Sequence, residues 1–149
     1  MEHREESIPA FEVTGLQIRT SNARAMETIG PLWGRVYGGG LAGMAPTGQQ
    51  RLYAVYSNYE GDHNGEYDYT IGYAVNAGDP VPEGMTQLGV PRQRYAVIIA
   101  RGEMPGALVE TWMQIWEAGL PRAFAIDFEI HDPATPGEVE IWLSLAEGT

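Results

Sequence analysis

The clearest hydrophobic pattern lies near the C-terminus. In RAFAIDFEIHDP, residues 122–133, Phe124, Ile126, Phe128 and Ile130 share one face of a predicted strand, while Ala125, Asp127, Glu129 and His131 share the other. In GEVEIWLSLAE, Val139, Ile141 and Leu143 alternate as the core face, which leaves Trp142 with Glu140 and Ser144 opposite. Pairing of these two strands is expected to bring Glu129 to the Trp142 face. The alternation alone leaves Glu129 either on a wet surface or in a pocket.

Earlier in the chain, FEVTGLQIRTSN reads as a strand in which Phe11 and Val13 give way to Leu16 and Ile18, with a bulge expected at Gly15. Ser21 or Asn22 caps a predicted helix from Ala23 to about Tyr37, kinked or restarted at Pro31. Its apolar stripe is Met26, Ile29, Trp33, Val36 and Tyr37. A glycine-rich loop, GGGLAGMAPTG, follows. RLYAVYSNYEGDHNGEYDYTIGYAV predicts a hairpin turning at Asn64-Gly65, and the proline- and glycine-rich stretch after it predicts little regular structure. QRYAVIIARG is a further strand. The second helix carries Leu108, Val109, Trp112, Ile115 and Trp116 at helical spacing and ends at Gly119 and Pro121.

The order is β-α-β-β, a connection, then β-α-β-β. RLYAVYSNYEGD aligns with RAFAIDFEIHDP, which points to an internal duplication. The expectation is an α+β fold of duplicated β-α-β-β units. One antiparallel sheet carries both helices on one face, expected over Phe124, Ile126, Phe128 and Ile130, with Glu129 and Trp142 on the other face and a ligand cleft between the halves. A single domain spans 1–149, with halves at about 8–76 and 93–146.

Composition narrows the chemistry. The 149 residues carry a formal net charge of −11 and a pI near 4.5, which speaks against direct nucleic-acid or anionic-membrane binding and suits a cationic partner. There is no cysteine, so disulfides, thiol nucleophiles and thiolate-held metals are excluded. MEHREESIPAF lacks the apolar run of a signal peptide, and a cytoplasmic location is expected. EGDHNGEYD places acids at calcium-loop spacing, but Ile71 stands where a bidentate Glu is needed, so the loop reads as a polar turn. His3, His63 and His131 have no metal-ligand spacing, and no nucleophile elbow, phosphate loop or dinucleotide fingerprint occurs. Neither metal nor cofactor is expected.

What remains is aromatic and acidic. Trp33, Trp112 and Trp116 fit core packing as well as a pocket wall. A carboxylate among aromatic rings selects organic cations, each ring face being worth about 0.5–2 kcal/mol.

Element order and the stretches YAVYSNYEGDHNGEYDYTIGYAV and FEIHDP…EVEIWLSL resemble the effector-binding domain superfamily. That superfamily includes gyrase-inhibitory-protein-like (GyrI-like) proteins, AraC-type effector-binding domains and the C-terminal domains of multidrug-sensing transcription regulators. The resemblance implies that Glu129 pairs with lipophilic cations in an aromatic pocket and that Trp142 matches the aromatic position on the final strand. His131 departs from it, standing where the family often has tyrosine. Too few residues precede the first strand for a helix-turn-helix, so the chain is similar to the stand-alone cationic-drug-binding proteins of integron cassettes. Tyr56 joins the site through the internal alignment, with Tyr69, Tyr73, Trp33, Trp112 and Trp116 as further wall candidates. Expected partners are cationic aromatic small molecules, with a homodimer or a separate regulator protein beyond them. Two other readings remain open: a small hydrolase using Glu129, and a topoisomerase-inhibitor-like protein-interaction module.

Overall fold

In the computed structural model, which describes residues 3–41, 51–62 and 64–147, every strand pairing is antiparallel. Among the described residues there are eight strands and two α-helices. They run β1 (Arg4–Ser7), β2 (Phe11–Ser21), α1 (Ala25–Arg35), β3 (Leu52–Ser57), β4 (Glu66–Val75), β5 (Thr86–Val90), β6 (Arg94–Arg101), α2 (Gly106–Ala118), β7 (Asp127–His131) and β8 (Glu138–Ser144). The sheet order is β1-β6-β8-β7-β3-β4-β2-β5. From the central β7–β3 pair outward, both halves follow the same sequence of strands: β7-β8-β6 on one side and β3-β4-β2 on the other. The fold is α+β, and both helices lie on one face of the sheet, Leu32 of α1 and Trp112 and Ile115 of α2 sharing one core.

Two strands escape the hydrophobic pattern. β1, Arg-Glu-Glu-Ser, is exposed throughout and has no apolar face; it pairs along the edge of β6, with Arg94 bonded to Glu5 at 2.7 Å. Charge of this kind also protects a sheet edge from foreign strands. β5 lies within the stretch expected to be irregular and pairs with β2. Its Leu88 and Val90 are too few to register as a period.

Both faces of the sheet are buried, and this corrects several expectations. Phe11 and Val13 belong to the core away from the helices, Leu16 and Ile18 to the core beneath them. The strand therefore alternates normally, and the β2–β4 ladder runs unbroken from Glu12↔Val75 to Ser21↔Glu66, without a bulge at Gly15. Glycine is needed there for close approach instead: a Cβ on Gly15 would sit 1.9 Å from the Ile71 carbonyl oxygen, opposite Gly72. Likewise Phe128 and Ile130 fill the core away from the helices, not the one under them. Alternation says which residues share a face, not which face the helices cover.

α1 runs through Pro31 without interruption, preceded by a 3₁₀ turn over Asn22–Arg24 and followed by a wider turn over Val36–Gly40; Ser21 makes no side-chain cap bond. Its buried residue is Leu32, whereas Met26 and Tyr37 of the expected core stripe are 94% and 78% exposed. α2 matches its pattern more closely, burying Trp112 and Ile115 and ending at Gly119 in the left-handed conformation (φ 65°). The β3–β4 turn is organised by Asp62, which accepts the Asn64 and Gly65 amides at 2.9 and 3.2 Å. His63 and most of the GGGLAGMAPTG stretch lie outside the described residues.

Candidate functional site

Most of the α1 stripe lines a cavity of about 780 Å³ between the helices and the sheet, while Ile29, Trp33 and Val36 also pack against the core. Met26, Ile29 and Trp33 of α1, with Tyr37 of the turn after it, form one wall, and Leu108, Val109, Trp112 and Trp116 of α2 the other. Alternation along β3, β4 and β7 brings Tyr56, Tyr67, Tyr69, Glu129 and His131 to the floor. Tyr59 and Arg122 enter from loops. The walls are largely apolar and aromatic, and few directional polar groups face the cavity.

Glu129 is 2% exposed, and each of its oxygens is engaged. Oε2 accepts the Tyr56 hydroxyl at 2.8 Å and the Trp112 indole N–H at 2.7 Å, while His131 Nε2 lies 2.7 Å from Oε1. These donors make a buried carboxylate tolerable. Burial, and then the Glu129 charge, push the Tyr56 and Tyr69 phenols well above the usual tyrosine value. The same two causes raise Tyr67. The phenols therefore stay neutral, and Tyr56 and Tyr67 act as donors. Tyr69 in turn accepts the Trp33 indole N–H at 2.9 Å, and Tyr67 donates to Asn22 Oδ1 at 2.8 Å, which tie α1 and the turn before it to the floor.

A second carboxylate lies two residues away. Asp127, fully buried, accepts Arg122 at 2.8 Å and Tyr59 at 2.6 Å on Oδ2, and the Ser144 amide and hydroxyl, both at 2.7 Å, on Oδ1. Burial and then the Asp127 charge hold the Tyr59 phenol far above its usual value. Arg122 Nε and Nη1 have no hydrogen-bond acceptor. The guanidinium instead meets the Phe124 ring at 4.3 Å and the Trp112 ring at 5.7 Å, so ring faces take the place of oxygens. Phe124 adopts φ 52°, an uncommon conformation for a bulky residue. That turn ends the expected strand short, at Asp127 rather than Arg122, with Arg122 held by an isolated bridge to Leu145.

Of the predicted site residues, Glu129, Tyr56, Tyr69, Trp33, Trp112 and Trp116 all line this cavity. Trp142 does not. The register pairs Glu129 with Ile141 and Trp142 with Phe128, so Trp142 lies on the opposite face, stacked on Phe128 at 5.4 Å and 13°. Glu129, paired with Ile141 of the helix-side core, thus faces the helices instead of lying on the face away from them. Tyr73 packs against the helix-side core but lies outside the cavity lining. Sequence reasoning missed Tyr67, although it shares the parity of Tyr69. It also missed Tyr59, a loop residue with no period, and the Arg122–Asp127 pair, which Phe124 brings together by breaking the alternation.

A family model described as Cass2, integron-associated effector binding protein, matches residues 6–145. The chain belongs to that family. Among curated relatives, the transcriptional regulator BrlR of Pseudomonas aeruginosa is 33% identical over 137 residues, covering 89% of this chain and 48% of that protein. The chain thus spans about half the length of BrlR. The putative transcriptional regulator protein YobU of Bacillus subtilis is 30% identical over 142 residues, covering 89% of each. Among solved structures, the integron cassette protein VCH_CASS2 from the mobile metagenome of Vibrio cholerae is 29% identical with a TM-score of 0.78, over 97% of this chain and 95% of that one. SAV2435 bound to tetraphenylphosphonium has the same fold at 18% identity and a TM-score of 0.75, over 99% and 95%. Among the described residues, no helix is long and apolar enough to cross a membrane, and no three His, Cys, Asp or Glu side chains are grouped to hold a metal ion.

Proposed function

We propose that the cavity binds lipophilic cationic small molecules, with Glu129 as the charge partner and Trp33, Trp112, Trp116, Tyr56 and Tyr69 as its aromatic surround. One observation carries the reading: Glu129 is buried at the floor of an aromatic cavity while Arg122, the guanidinium lining that cavity, is bonded to Asp127. A desolvated carboxylate held by neutral donors gains from an incoming cation, and ring faces add about 0.5–2 kcal/mol each. Tetraphenylphosphonium in SAV2435, a protein of the same fold, supports the ligand class by analogy. The names of BrlR and YobU, both transcriptional regulators, support a regulatory setting for such binding.

The test is a pair of isosteric ions. Tetraphenylphosphonium is expected to raise the melting temperature and quench tryptophan fluorescence, and tetraphenylborate to do neither. Equal responses to both would remove Glu129 from the account.

A second reading draws on the 2.7 Å His131–Glu129 contact. A carboxylate held by an imidazole can take a proton from water, so the same cavity suits hydrolysis of a strained electrophilic ring. Multiple-turnover consumption of such a substrate, lost in Glu129→Ala, would favour it over binding alone.

A further inference from the structure

His131 meets the cavity carboxylate on the oxygen that the phenol and the indole leave open. Tyr56 and Trp112 both donate to Oε2, whereas His131 Nε2 lies 2.7 Å from Oε1. The imidazole shares the Glu129 face of β7, between cross-strand neighbours Leu52 and Val139, and the Trp33 ring centre is 4.7 Å from its own. Its side chain is 23% exposed, so protons reach it while the carboxylate beside it is shielded. Histidine is the side chain whose ordinary titration falls between about pH 5 and 8. Once charged, an imidazolium here makes the two contacts a cationic guest makes: an ion pair with Glu129 and an aromatic face from Trp33.

We propose that His131 is a titratable internal cation that competes with the ligand for Glu129, so that at acidic pH the pocket admits a permanent monocation only by releasing a proton. This rests on the cation-binding reading above and adds to it what decides when a cation is accepted. With the imidazole neutral, the charge of Glu129 is left for the guest. With it protonated, the carboxylate is already matched, and the guest must displace the proton first.

The other groups around His131 do not duplicate this switch. β3 and β4 contribute Tyr56, Tyr67 and Tyr69, whose burial keeps them protonated far beyond this range. α1 contributes the Trp33 ring and the turn after it the Tyr37 phenol, and the α2 lining residues carry no charge. Arg122 is tied to Asp127 with Tyr59, and Arg51 bonds Asp132 at 3.1 Å on the exposed side of the strand end. Glu129 is the remaining titratable group, and the variant below separates its protonation from that of His131.

The experiment is calorimetric titration with tetraphenylphosphonium, whose charge does not change with pH, between about pH 5 and 8.5 in buffers of two ionisation enthalpies. The parent is expected to weaken about tenfold per pH unit on the acid limb, with release approaching one proton per ligand, and to be level on the alkaline side. His131→Gln, which keeps an N–H toward Oε1 but cannot become charged, is expected to bind with a level profile and no proton release. A level profile in the parent, or an acid limb that survives in His131→Gln, overturns the inference while leaving cation binding intact. No binding at any pH overturns the cation reading itself. The pairing then still stands or falls by NMR titration of the His131 ring: Glu129→Gln is expected to lower its midpoint, and an unchanged midpoint refutes it.

Discussion

Asp127 and Glu129 are two residues apart on one face of one strand, both are buried, and each accepts a phenol. Their surroundings nevertheless give them different work. Asp127 has a guanidinium that cannot lose its charge, together with the amide and hydroxyl of Ser144. Glu129 has an indole and an imidazole, and only the imidazole can carry charge. Burial alone therefore does not distinguish the two carboxylates. A fixed internal cation matches Asp127, whereas Glu129 has none, and this is the difference on which the proposed cation binding rests.

The strongest way to break this contrast is to open the closed site. Arg122→Met removes the cation from Asp127 and leaves a buried charge unmatched, which is expected to cost about 3–5 kcal/mol of stability. Urea unfolding measures it, and a loss under about 1 kcal/mol would show Asp127 to be as tolerant as Glu129. The converse variant, Glu129→Gln, is expected to hold stability within about 1 kcal/mol, because an amide oxygen still accepts from Tyr56 and Trp112. Tetraphenylphosphonium affinity should instead fall by about tenfold to a hundredfold, or about 1.4–2.7 kcal/mol. Unchanged affinity would remove the charge pairing.

How much of this was legible beforehand follows from the same strand. Alternation put Asp127, Glu129 and His131 on one face, and helical spacing put Trp112 and Trp116 on one side of α2. Both held, because regular backbone repeats its directions. The helix-bearing side of β7 was not legible, because Phe128 and Ile130 are as apolar as a helix-facing set and fill a second core. Nor was the Arg122–Asp127 bond, which depends on the left-handed turn at Phe124, a residue with no propensity for it. The stripe of α1 was read correctly as a stripe. That Met26 and Tyr37 line the cavity without reaching the core depends on how the helix stands over the sheet, which periodicity does not encode.

A finer probe treats the two carboxylates alike. Tyr56→Phe and Tyr59→Phe each remove one hydroxyl from a buried carboxylate, and each is expected to cost about 1–2 kcal/mol of stability. Their effects on binding should diverge. A Glu129 that has lost a donor gains more from a cation, so Tyr56→Phe is expected to tighten tetraphenylphosphonium binding several-fold in titration calorimetry, about 1 kcal/mol. Tyr59→Phe should leave it unchanged, since Arg122 still matches Asp127. Parallel changes in both variants would mean that the two sites share one charge balance.

The smallest expected effect lies on the other side of the sheet. Trp142 stacks on Phe128 and donates its indole N–H to Glu140 at 2.9 Å, in the core away from the cavity. Trp142→Phe should therefore lower stability by about 1–2 kcal/mol through lost packing yet change cation affinity less than twofold. Trp33→Leu removes a cavity ring face and should weaken binding by about 0.5–2 kcal/mol. Fluorescence gives the same contrast without a binding constant: a guest seated over Glu129 lies among Trp33, Trp112 and Trp116 but across the sheet from Trp142. Quenching should hence be almost as large in Trp142→Phe as in the parent and smaller in Trp33→Leu. A guest that loses its quenching with Trp142 would sit on the wrong face for Glu129 to reach it, because the register sets Trp142 beside Phe128 and Glu129 beside Ile141.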